Sequence, residues 1–236
     1  GDAPGERRGP IAVVALDFDG TLTVRDVAPW HLDDAVGDAF GGAERVASLT
    51  SWLRQLARDG ACLAIVSRNA RLVVREGVEK VGWAELFGVH VYGREDVEWH
   101  SMARTRKSVL VRKLLIEPYG LRGEDVIFVD DDEKACLDAQ RNIGAHSHYV
   151  QGRRGLVDAD LQAVRAWMDA RVVAARKGHA AERGTVLLPD RVLLQDSHEP
   201  IQAGAPPLRR AFTQTFSAPQ AFSPPWRARR PPGSSS

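Results

Sequence analysis

The chain's 236 residues, 44% of them hydrophobic, suffice for a core of about 150 to 170 residues, and a formal net charge of +1 gives no global electrostatic case for nucleic acid. Its two cysteines, Cys62 and Cys136, show neither zinc-ligand spacing nor a disulfide framework, which points to a reducing compartment. No stretch approaches the roughly 18 to 20 consecutive apolar residues of a membrane span, and the start GDAPGERRGP lacks the apolar centre of a signal peptide, so a cytoplasmic protein without membrane contact is expected.

The first element is Ile11 to Thr23, IAVVALDFDGTLT, an apolar run that reads as a buried parallel strand. At its carboxyl end, where open α/β sheets bind ligands, Asp17 and Asp19 are expected on the same side because strand side chains alternate with period two. Two uncompensated carboxylates this close repel, so they share a proton or hold a hard divalent cation with oxygen ligands. Gly20 and Thr21 then open a turn whose backbone N–H groups can face a phosphate. An Asp-rich turn alone explains one of these acids, not the whole succession of acid, spacer, acid, Gly and Thr.

Further along, Val46, Leu49, Trp52, Leu53 and Leu56 recur at helical spacing and stop at Gly60. CLAIVSRN from Cys62 to Asn69 reads as a second strand, a helical stretch follows Ala70, and a short strand is expected near Val89 to Tyr92. A helix containing Lys107 ends by Pro118 and Gly120, and Val126 opens another apolar strand. A helix from Asp132 to near Gly144, a strand at His146 to Val150, and an amphipathic helix marked by Leu161, Val164, Trp167, Met168 and Val172 complete the pattern. Repeated βα units imply an α/β fold with a doubly wound, mostly parallel, Rossmann-like sheet and right-handed crossovers. The tryptophans on these helices read as core rather than ligand contacts.

DFDGTLT resembles the first motif of the haloacid dehalogenase-like (HAD) superfamily of phosphohydrolases, and three further motifs of that family have counterparts in order over about residues 11 to 150. The resemblance implies that Ser67, ending the second strand, donates to a phosphate oxygen, with Arg68 beside it in the phosphate-binding set alongside Gly20, Thr21 and a lysine. That lysine is Lys107 near a helix start, with Lys113, two turns deeper, as the alternative. VIFVDDDEKACLDA supplies the acidic motif: Asp131 as metal ligand, Asp130 behind it or touching the metal through water, and Asp132 as cap of the next helix. The implied metal set is thus Asp17, Asp19, Asp130 and Asp131, and the implied ion is Mg²⁺.

By the same resemblance Asp17 attacks phosphorus to form an aspartyl-phosphate, while Asp19 first protonates the leaving oxygen and then deprotonates the hydrolytic water. Residues 24 to 66 and 68 to 106 leave no room for a large cap domain, so the site should be open, as in the capless magnesium-dependent phosphatase group that the chain is nearest in appearance. An open site suits a phosphorylated protein, a small phosphorylated molecule or another exposed phosphate. A polynucleotide 3′-phosphatase and a catalytically idle HAD-fold binding module are the alternatives. Trp30, His31, Trp99 and His100 are candidates to touch the leaving group.

The expected domains are a flexible N-terminus over 1–10, the phosphatase domain over 11–177, and an extension over 178–236. Short VLL runs near Val186 and Val192 read as a hairpin or as segments docked on the body. From Ala203 the chain is rich in Pro, Gly, Ser and Gln, carries Arg209, Arg210, Arg227, Arg229 and Arg230 with no acid, and is expected to be disordered. Phe212, Phe216, Phe222 and Trp226 among these arginines suit an acidic partner or nucleic acid.

Overall fold

The computed structural model describes residues 9–96 and 106–184; Trp99, His100, the VLL runs and the Arg-rich tail lie outside these residues. Its strands are β1 (Ala12–Leu16), β2 (Ala61–Val66), β3 (Val91–Tyr92), β4 (Val126–Asp130) and β5 (His146–Tyr149). They form one five-stranded sheet in the order β3-β2-β1-β4-β5, every pairing parallel. The apolar run read from the sequence is therefore the central strand, buried along its whole length.

The helices are α1 (Ala43–Arg58), α2 (Arg71–Lys80), the single turn α3 (Ala84–Phe87), α4 (Lys107–Val111, continued by Arg112–Ile116 and Glu117–Tyr119), α5 (Glu133–Ile143) and α6 (Asp158–Gly184). Strand alternation sends side chains to two separate cores. Ala12, Val14 and Leu16 of β1, with Ile65, Ile127 and Val129, meet α1, α2 and α6 through Leu53, Leu56, Val74, Val164 and Met168. Val13, Ala15, Ala64, Val66 and Phe128 point the other way, onto Leu110, Val111 and Leu115 of the α4 run and Ala135, Cys136 and Ala139 of α5. Helices cover both faces, as in a Rossmann-like doubly wound sheet, which is why these strands read as continuous apolar runs.

Local signals end the helices where the sequence suggests. Gly60 adopts φ +93° after α1, and Gly120 and Gly144 take left-handed conformations at the ends of the α4 run and α5. Asp132 caps α5, its carboxylate accepting from the Lys134 N–H. The domain boundary expected after residue 177 falls inside α6, which continues to Gly184.

Between β1 and α1 the chain makes short turns, Phe18–Leu22, Pro29–Leu32 and Ala35–Ala39, in place of an inserted domain. Phe18, Leu32 and Phe40 anchor them in the core, and Phe40 stacks edge-on against both Phe18 and Trp83. Each such buried side chain contributes about 1.5 to 3 kcal/mol, so this segment is held as part of the body. Trp52 and Trp83 are buried with their indole N–H groups donating to the Leu161 carbonyl and Thr50 Oγ1, in keeping with a core role. Among the described residues no helix is long and apolar enough to cross a membrane.

Candidate active site

Parallel register brings the sequence motifs together. Leu16 pairs with Ile65 and with Val129, so Asp17 just after β1, Ser67 just after β2 and Asp130 at the end of β4 emerge side by side at the carboxyl edge of the sheet. They line a cleft of about 660 Å³, together with Asp19, Arg68, Asn69, Lys107, Asp131 and Arg153.

Lys107, the first residue of α4, lies at its floor, 5% exposed, with Nζ 2.7 Å from Asp17 Oδ1 and 2.8 Å from Asp130 Oδ2. Lys113 is exposed further along the same run, so of the two lysines it is Lys107 that lines the cleft. Oxygens of Asp17, Asp130 and Asp131 all lie within 4.8 Å of one another. Lys107 and, at Asp131, Arg153 are two cations for three carboxylates, which leaves negative charge in excess. Burial pushes the Asp17 carboxyl above its ordinary range, with Asp131 adding to the rise and Lys107 opposing it. Asp130 is pushed up to about 6 by burial and by Asp17, again against Lys107. Burial works against the Lys107 charge, but Asp17 and Asp130 outweigh it and hold the ammonium above its usual pKa.

Asp17 Oδ1 is buried, with the Lys107 ammonium 2.7 Å away. Three carboxylates that outnumber the two cations beside them, Lys107 and Arg153, are a donor set suited to a hard divalent cation.

Asp19 does not join this cluster, contrary to its expected place among the metal ligands. Its Oδ1 accepts from the Val27 N–H at 2.7 Å and from Asn69 Nδ2 at 3.2 Å. Burial raises its pKa while these two donors pull it down. The reason is the backbone between the two acids: Asp19 and Gly20 break from helical dihedrals, and the turn throws the second carboxylate toward the Val27 loop.

The Gly20 and Thr21 expectation also changes. The Gly20 N–H is occupied by Thr23 Oγ1 at 3.2 Å, Thr21 is fully buried with no partner for its hydroxyl among the described residues, and neither residue lines the cleft. Gly20 serves geometry instead: at φ +70° a Cβ there would lie 2.7 Å from Asp131 Oδ2. Ser67, fully buried, accepts from the Asn69 N–H at 3.0 Å, which leaves its own proton to donate. Arg68 reaches the cleft but pairs with Asp132 Oδ2 at 3.1 Å. Trp30 is 70% exposed, and His31 Nδ1 accepts from the Ala28 N–H; neither lines the cleft.

Three participants have no sequence signal. Asn69 clamps Asp19, Arg153 Nε donates to Asp131 Oδ2 at 2.7 Å, and Asp26 binds Arg153 Nη2 at 2.6 Å. Asn69, two residues after Ser67, is the nearest to a clue, since Asn favours turns after strands.

No protein-family model matches the chain, and no curated protein matches it. Among solved structures it is similar to a haloacid dehalogenase-like family hydrolase from Streptococcus pneumoniae, at 15% identity and a TM-score of 0.42 over 64% of this chain and 90% of that one. It is also similar to a probable YrbI family phosphatase from Pseudomonas syringae, at 17% identity and a TM-score of 0.44 over 75% of this chain and 95% of that one.

Proposed function

We propose that this protein is a magnesium-dependent phosphomonoesterase of the HAD type, working through an aspartyl-phosphate on Asp17. The observation that carries the reading is the division of labour between two acids one residue apart. Asp17 sits in the carboxylate cluster beside Lys107, while Asp19 is held apart by Val27 and Asn69 with its pKa raised by burial. That separation supports a nucleophile's role for Asp17 and a proton carrier's for Asp19.

Asp17, Asp130 and Asp131 would hold the cation, whose charge, when bound, offsets theirs and that of the incoming phosphate. Asp17 then attacks phosphorus, the bond to the leaving oxygen breaks, and Asp19 gives that oxygen its proton. In the second half Asp19 takes a proton from water, whose oxygen attacks the same phosphorus and frees Asp17. Lys107 and the Ser67 hydroxyl face the charge that builds on the phosphoryl oxygens. The cleft has no inserted domain over it among the described residues, which supports a phosphoprotein or another exposed phosphate as substrate.

The test is a panel assay with magnesium on an aryl phosphate, phosphopeptides, phosphosugars and 3′-phosphorylated oligonucleotides. Asp17→Asn keeps the shape and removes the nucleophile, so turnover should fall to background in a folded protein. Unchanged turnover would overturn the mechanism. Preference for the oligonucleotides would move the protein to an end-processing role, and an inactive wild type to a binding one.

A further inference from the structure

Arg153 lies between β5 and α6 at φ +51°, the one non-glycine residue with positive φ among the described residues. Its base is fixed to the Asp17–Asp19 loop: the Gly155 N–H donates to the Gly20 carbonyl and the Leu156 N–H to the Thr21 carbonyl. Its side chain, by contrast, is 63% exposed, and the guanidinium spans the mouth of the cleft from the Asp131 side chain, 6% exposed, to that of Asp26, 71% exposed. Asp131 is also one of the three carboxylates of the cation cluster. A largely exposed side chain whose backbone neighbours are anchored thus occupies a carboxylate of the candidate cation cluster.

We propose that Arg153 is an exchangeable counter-ion that becomes an anion-gripping residue. Without metal, the guanidinium neutralises Asp131. A divalent cation on Asp131 displaces that hydrogen bond, and Asp26 keeps the freed guanidinium at the rim, where its planar fork meets the phosphate or another anionic group of the substrate. Cation and Arg153 therefore compete for Asp131, whereas substrate and Asp26 compete for Arg153. The inference rests on the proposed function in one respect, that a cation binds at Asp131.

Titration calorimetry on the full chain tests both halves without any turnover. Magnesium chloride alone should bind Arg153→Ala about two- to five-fold more tightly than wild type, the worth of an exposed ion pair. Inorganic phosphate, titrated into the magnesium-saturated proteins, should bind Arg153→Ala about ten-fold more weakly, with Arg153→Lys between the two. Arg154→Ala, a neighbouring arginine outside the cleft, should match wild type in both. Magnesium affinity that is unchanged or weaker in Arg153→Ala overturns the counter-ion, and unchanged phosphate affinity overturns the grip. A wild type that binds no magnesium overturns this inference and the proposed function together. One that binds both ions with this Arg153 dependence yet turns over no phosphomonoester overturns only the function.

Discussion

Asn69 Nδ2 lies 3.2 Å from Asp19 Oδ1 and 2.7 Å from the Val27 carbonyl oxygen, so one amide ties the acid to the loop whose Val27 N–H also binds it. Asn69 touches no reacting atom in this arrangement; it positions the group that does. Asn69→Ala removes a donor that favours charged Asp19, so the Asp19 pKa, already raised by burial, should climb further. The limb of the pH–rate profile that reports Asp19 should move to higher pH, with a stability loss of about 1 kcal/mol. A weaker enzyme with an unmoved profile would show that Asn69 acts on the fold alone.

Lys107 is the buried counter-charge of two carboxylates, and its loss should be felt before any substrate is added. Lys107→Met leaves Asp17 and Asp130 uncompensated and should cost about 3 kcal/mol in urea unfolding with chelator present, partly restored by magnesium. Lys113→Ala, on an exposed face, should stay within about 0.5 kcal/mol of wild type. Equal effects would reverse the assignment of the lysine.

The acidic motif divides between neighbours. Asp131→Ala removes a carboxylate from the cation cluster and should weaken magnesium binding strongly, whereas Asp132→Ala should cost only a helix cap, about 1 kcal/mol, and the exposed pair with Arg68. Calorimetry showing metal affinity lost at Asp132 and kept at Asp131 would mean the cation sits one residue away.

Asp130 gives the metal-free protein a signed pH dependence. Its folded pKa, pushed to about 6, exceeds the unfolded value of 3.8, so its stabilising contribution is complete below the lower value and is lost as pH rises through the upper one. His90 and His146, whose pKa values are lowered by burial, run the opposite way, so the informative quantity is the difference in Tm between wild type and Asp130→Asn. With chelator, that difference should fall from pH 5 to pH 7. Magnesium at pH 7 should raise the wild-type Tm by mass action. A flat difference curve would show that folding does not raise the Asp130 pKa into this range.

By itself the sequence determined the elements and the order in which they deliver chemistry. The apolar run into Asp17, the strand end at Ser67 and the acids after Val129 are local patterns, and so are the helix limits at Gly60, Gly120, Asp132 and Gly144. Each is set by backbone conformation and side-chain periodicity within a few residues. Only the tertiary structure set Lys107 against Asp17 and left Lys113 exposed, turned Asp19 away from Asp17 and closed the Gly20 N–H onto Thr23. It alone brought Asn69 to Asp19 across 50 residues and Arg153 to Asp26 across 127. Those contacts depend on the parallel register of β1, β2 and β4 and on the path of the loops above them, which no short-range periodicity in the chain encodes.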